Sequence, residues 1–214
     1  FMGLVGSEMC IRDRAWHDHG NETDEPMFWI DGLDIPVVSF LDASFAEGLG
    51  EDEQEITKED GQSYAEFGHA LMPEGAERSG VSPIFNYPYA RSRDTLDALA
   101  RGRDLDPCHG WKLRYTNPLN GEDAMPTIGT AVQLLREKTI PYKSTSATVF
   151  VCTEGSGRSQ IGSDVIEWSE KDIFVVPSWK SVVHEIDNEA VLFSFNDRPI
   201  QEKLGLFREA RGND

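Results

Sequence analysis

No apolar stretch approaches the roughly 18–20 residues that a helix needs to cross a bilayer, which excludes a spanning helix of ordinary length. Basic residues are scarce: 20 Lys and Arg stand against 38 Asp and Glu, for a formal net charge of -18. Phosphate backbones are held by Lys and Arg that displace counterions, so a general nucleic-acid binder is excluded. The excess of like charge favours solubility and is silent on fold. Cysteine is rare too. Cys10, Cys108 and Cys152 lie far apart with no Cys-x-x-Cys pair, a pattern that suits a reducing, cytoplasmic compartment and not a disulfide scaffold. Residues 1–14 do not read as a secretory signal, and the sequence shows no low-complexity tract. What is present is 214 residues, 39% hydrophobic and 27% charged, enough for one large or two modest globular domains.

The chain divides into four parts. Residues 1–14 lack helical or strand periodicity. Their end, Ser7-Glu8-Met9-Cys10-Ile11-Arg12-Asp13-Arg14, resembles translated sequencing-adapter sequence fused to a truncated reading frame, and is expected to be foreign to the fold. Residues 15–47 follow, where Met27 to Phe40 reads as two short strands broken by Asp31-Gly32 and Pro36, and Leu41 to Glu47 as a short helix. Residues 48–110 form a connection. Gly48 to Gly80 is polar and irregular, Asn86 to Tyr89 is extended, and Ser92 caps a helix over Arg93 to Arg101 that ends at Gly102.

From Trp111 to the C-terminus the pattern is strand after strand. Lys112 to Thr116 precedes an Asn120-Gly121 turn, and Thr127 to Leu135 follows. Then come Ala147–Thr153, Arg158–Ile161, Val165–Trp168, Asp172–Val176, Val182–Ile186 and Val191–Phe195. Short strands at this spacing indicate an antiparallel sandwich or barrel. A last helix is predicted over Pro199 to Ala210, with the proline in its first turn. The two strand-rich ends read as a degenerate repeat of one domain, the first cut short.

The chemistry concentrates at Trp16-His17-Asp18-His19-Gly20-Asn21, with Asp31 shortly after. On a strand, His17 and His19 would face the same side and could line one cavity. Neutral imidazole suits Fe(II), Mn, Zn or Cu, so spacing does not choose the metal, and a solvated polar turn carries the same residues. Three other histidines, His69, His109 and His184, have no partner in sequence.

The wider string is more specific. The opening motif, Asp24-Glu25-Pro26 and Trp29-Ile30-Asp31-Gly32-Leu33-Asp34-Ile35-Pro36 together resemble the gentisate 1,2-dioxygenases, two-cupin enzymes that cleave aromatic rings. The resemblance continues through Phe85-Asn86-Tyr87-Pro88-Tyr89, Lys112-Leu113-Arg114-Tyr115, Ala124-Met125-Pro126-Thr127 and Asp172 to Trp179. It ends with Phe193-Ser194-Phe195-Asn196-Asp197-Arg198-Pro199. It implies an all-β bicupin fragment of jelly-roll, double-stranded β-helix type with a few short helices. It also implies an Fe(II) held by three histidines, a small aromatic hydroxy acid and O2 as reactants, and a homo-oligomer, tetrameric in the family. By motif position His17 would bind the metal, His19 would face substrate, and Asp31 would hydrogen-bond the ring hydroxyl para to the first. The product implied is maleylpyruvate.

Two departures stand out. The motif supplying the other two histidines would lie upstream of Trp16. The second cupin, within residues 111–214, carries Tyr142, Ser144 and Val182 where ligands are expected, and so reads as metal-free. Salicylate or 1-hydroxy-2-naphthoate cleavage is the alternative within the enzyme class. A non-catalytic cupin module for assembly or binding is the alternative outside it.

Overall fold

The computed structural model describes residues 2–5, 8–11, 24, 26, 29–44, 47–51 and 55–212. The chain forms two compact units, Phe1–Tyr89 with Asn117–Met125, and Ala90–Thr116 with Pro126–Asp214.

In the first unit, β1 (Met2–Val5) and β2 (Glu8–Ile11) form an antiparallel hairpin. The helices α1 (Ile35–Phe40) and α2 (Gln62–Phe67) follow, and then β3 (Asn86–Pro88), which pairs with β2. Strands inside residues 1–14 run against the sequence reading. Their backbone is paired at Glu8↔Pro88, Met9↔Tyr87 and Cys10↔Asn86, so a distant partner supplies what local periodicity does not. The expected strands over Met27–Phe40 are also corrected. Among the described residues this stretch holds α1, with Pro36 in the first turn, where a missing N–H costs no helical hydrogen bond. No helix forms over the described part of 41–47; Asp42, at φ 52, takes the left-handed conformation that ends α1. The Asn120-Gly121 turn forms as expected. Gly121 has φ +76 and donates to the Asn117 carbonyl, while the Asn117 side chain donates to Ser79 O at 2.8 Å.

The second unit begins with α3 (Tyr89–Gly102), whose larger part lies there, and β4 (Trp111–Arg114). It continues with β5 (Gly129–Leu135), β6 (Tyr142–Ser144), β7 (Thr148–Glu154), β8 (Ser156–Ile161) and β9 (Asp164–Ser169). It ends with β10 (Ile173–Val176), β11 (Val182–Ile186), β12 (Ala190–Asn196), α4 (Arg198–Lys203) and β13 (Glu209–Arg211). The strands form two five-stranded antiparallel sheets, ordered β10-β7-β12-β5-β4 and β13-β6-β11-β8-β9. This is an antiparallel sandwich, as the strand spacing indicated, and it fits the all-β cupin that the resemblance implies.

The core lies between the sheets. Leu135, Phe150, Cys152, Phe174, Val176, Ala190 and Leu192 come from the first, and Ile161, Trp168 and Val182 from the second. A fully buried leucine such as Leu192 stabilises the fold by about 1.5–3 kcal/mol through lost apolar hydration. The other face of the first sheet receives α3. Tyr115 Oη donates to Ser92 Oγ (2.9 Å), Trp111 Nε1 donates to Arg103 O (2.8 Å), and Arg93 bridges Asp97, Glu154 and Glu189.

Sequence reading located most of these strands to within two residues and missed β6 and β13, which have three residues each. It also made the last helix too long. Gly205, at φ +69, follows the end of α4, and the chain then extends to pair Ala210 with Lys143. No helix among the described residues is long and apolar enough to cross a membrane.

Candidate functional site

Of the residues singled out in the sequence, His17, Asp18 and His19 lie outside the described residues. Asp31 is an exposed residue of the irregular segment leading into α1, beside the buried Gly32. Among the described residues no three His, Cys, Asp or Glu side chains gather closely enough to hold a metal.

The second cupin can be built from its strands upward. Tyr142 of β6 stands directly across from Val182 of β11, and Ser144 lies two residues along β6 on the same face. The three positions where the cupin pattern expects ligands thus line one cavity of about 40 Å³. None is suited to an iron ion. Val182 offers only methyl groups. Ser144 Oγ donates to Ser146 O at 3.1 Å, and Tyr142 Oη donates to Glu209 Oε2 at 2.9 Å. Burial pushes the Tyr142 phenol up to about 12, with the hydrogen bond to Glu209 adding to the effect, so it stays protonated.

His184 sits in this cavity as part of a closed hydrogen-bond chain. Trp168 Nε1 donates to Ser159 Oγ (2.8 Å), and Ser159 Oγ lies 2.8 Å from His184 Nδ1. An indole N–H can only donate, which leaves the serine proton free for Nδ1; with that proton placed there, the neutral ring carries its own on Nε2. Burial pushes the imidazole down to about 3, with repulsion from Lys112 as the second cause. The His184 backbone N–H is held by Thr139 Oγ1 at 2.8 Å. The ring packs edge-on to Phe150 and Phe174. This histidine is a buried core residue held by hydrogen bonds and ring packing.

Two cavity residues carried no signal in the sequence. His109 packs edge-on against Tyr142 with ring centres 4.4 Å apart. Burial, then Lys112, push it down to about 2. Lys112 extends from the edge strand β4 into the cavity, keeping contact with water while protein crowds its amine. Loss of hydration, then repulsion by Arg198, lower it to about 8. The alternation of Lys112 to Thr116 could have placed Lys112 on a face but not shown that this face looks inward. The cationic amine of Lys112 faces this space, and among the described residues no third ligating side chain joins His109 and His184, so the second cupin does not fit the metal that the resemblance implies.

No family model matches the chain. Individual relatives do. The chain is 54% identical over 210 residues to gentisate 1,2 dioxygenase 1 of Aquipseudomonas alcaligenes, which covers 97% of this chain and 60% of the relative. It is 36% identical over 204 residues to 5-aminosalicylate 1,2-dioxygenase of Comamonas sp., across 91% of this chain and 53% of the relative. The crystal structure of salicylate 1,2-dioxygenase from Pseudaminobacter salicylatoxidans superposes with a TM-score of 0.82 at 30% identity, covering 100% of this chain and 66% of that one. The chain therefore spans about three-fifths of the curated relatives it matches. Its sequence, and the jelly-roll of its second unit, place it in the gentisate 1,2-dioxygenase family, together with the related salicylate and hydroxynaphthoate dioxygenases.

Proposed function

We propose that this chain is the C-terminal part of a dioxygenase that opens the gentisate ring to maleylpyruvate. The observation that carries the reading is 54% identity across almost the whole chain to a gentisate 1,2 dioxygenase. In this reading the reaction takes place in the first cupin, on an Fe(II) that binds the small aromatic hydroxy acid and O2. His17 would be one of its three ligands, the other two coming from sequence that precedes Trp16. His19, two residues on, would position the substrate or carry a proton, and Asp31 would accept a hydrogen bond from the second ring hydroxyl. The exposure of Asp31 suits a pocket wall completed by other parts of the protein.

The second cupin then serves as scaffold, a role supported by Tyr142, Ser144 and Val182 at the positions where ligands are expected. The proposed setting is a cytoplasmic homo-oligomer, tetrameric as the resemblance implies, with no nucleic-acid or membrane partner. A salicylate or hydroxynaphthoate substrate is the second reading, favoured by the fold match to salicylate 1,2-dioxygenase. Oxygen uptake by the full-length protein on gentisate, salicylate and 1-hydroxy-2-naphthoate tests the assignment. Turnover of gentisate at least tenfold faster than of the other two is expected. Preference for either of the others would replace the substrate assignment, and no uptake on any of them would favour a binding module.

A further inference from the structure

The second-cupin cavity has a charge that the rest of the chain does not prepare for. In a protein of net charge -18, it is lined by Lys112, Lys143, Lys180 and Arg198 with His109 and His184, and by no Asp or Glu. Three of these cations lack a close anionic partner. Lys143 lies over the Trp179 ring at 5.3 Å, and among the described residues the side-chain amines of Lys112 and Lys180 make no hydrogen bond or ion pair. Arg198 is held by Glu202 at 2.7 Å on the outside.

The interior beside the cavity is also short of hydrogen-bond partners. Gln133 stands opposite Lys112 in the β4–β5 register, shares the inward face of β5 with Leu135, and is 1% exposed. Neither its amide oxygen nor its amide nitrogen has a partner, and Ser194 Oγ, diagonal to it on β12, has none either. Buried polar groups are nearly always satisfied, so this cluster calls for a polar molecule between the sheets. With Ser159 donating to Nδ1, His184 adds an Nε2–H.

We propose that the cavity of the second cupin binds a small oxyanion, of the size of phosphate or formate, with Lys112 as its charged anchor. Size sets the class. A cavity of about 150 Å³ accommodates a benzene ring, whereas this one has about 40 Å³, so the aromatic substrate is too large. Neutral imidazoles and ammonium groups donate hydrogen bonds to oxyanions, and no carboxylate lines the cavity, Asp106 and Glu209 acting on Lys112 only from outside it. The site is separate from the ring-cleavage reading and survives or fails independently of it.

The test is calorimetric titration of the 214-residue chain with sodium phosphate and with sodium formate, against sodium chloride at matched ionic strength. One equivalent of phosphate or formate should bind, and which of the two binds tighter identifies the source. Lys112→Met should weaken the preferred anion at least tenfold and Lys112→Arg should retain it. In parallel, the anion should slow acetylation of Lys112 at least fivefold, read by mass spectrometry, with exposed Lys171 unchanged as internal control. That readout needs no variant, so a misfolded Lys112→Met leaves the test intact. Binding no stronger than chloride, Lys112→Met binding like the parent, or equal protection of Lys171 would each overturn the proposal.

Discussion

Lowering the pH from 7.5 to 5.0 should unfold the second unit far more readily than its carboxylates alone would allow. His184 and His109 both have folded values well under the ordinary 6.5, at about 3 and about 2, because burial disfavours the charged ring. The sign follows from proton counting. Between the folded values and 6.5 the unfolded chain binds a proton at each ring and the native protein does not, so stability rises with pH across that window. At pH 5.0 the unfolded rings are about 1.5 units below their midpoint, which at 1.36 kcal/mol per unit is a loss of about 2 kcal/mol each, or about 4 for the pair. That is a large share of the 5–15 kcal/mol typical of a domain. Carboxylates act lower. Asp106, held down by its Arg211 contact, loses its stabilisation only as the pH falls below its ordinary 3.8. The assay is urea unfolding at several pH values, followed by fluorescence of Trp168, which is buried at 3% exposure. In His184→Gln the amide can still take the Ser159 proton but does not titrate, so the acid loss should fall by about half. A stability independent of pH from 7.5 to 5.0, or an unchanged slope in His184→Gln, would refute the assignment of neutral, buried rings.

Other perturbations separate further parts of the account. Lys112→Met should stabilise the anion-free protein at pH 7, because it removes an amine whose folded value lies below its ordinary 10.5, and the gain should shrink between pH 8 and 10.5, as thermal melts at several pH values would show. Trp168→Phe should cost about 1–3 kcal/mol in urea unfolding by leaving buried Ser159 without its indole donor. Gly155→Ala should cost at least about 1 kcal/mol, because this residue has φ +84 and a Cβ there would clash with the Glu189 carbonyl oxygen. Deleting residues 1–14 should leave the melting temperature of the second unit unchanged, since β1 and β2 pair only within the first, and a shift of several degrees would contradict that separation.

How much of this was legible depends on what holds each element. The long strands of the second cupin, such as Gly129–Leu135 and Ala190–Asn196, announce themselves through apolar β-branched runs bounded by turns, because both of their faces are buried. The three-residue strands at Tyr142 and Glu209 exist because each supplies a partner to the other, and no local pattern encodes that pairing. The same holds for Met2–Val5 and Glu8–Ile11, whose third strand is more than seventy residues away. Pro36 was misread because a proline in a short apolar run breaks a strand and opens a helix equally well. That the second cupin has Tyr142, Ser144 and Val182 at the positions where ligands are expected is read directly from residue types; that the three line one cavity is not. The cationic lining did not, since Lys112, Lys143, Lys180 and Arg198 come from four separate segments that only the jelly-roll brings to one cavity.

The central claim is that ring cleavage belongs to the first cupin, with His17 on the metal, and that the second cupin holds none. Metal analysis with gentisate-dependent oxygen uptake, run on the full-length protein, its His17→Ala variant and the 214-residue chain, tests it most directly. The full-length protein should carry about one iron per chain and consume oxygen, while His17→Ala and the 214-residue chain should lose both together. Stoichiometric iron with turnover in the 214-residue chain, or in His17→Ala, would place the active site elsewhere.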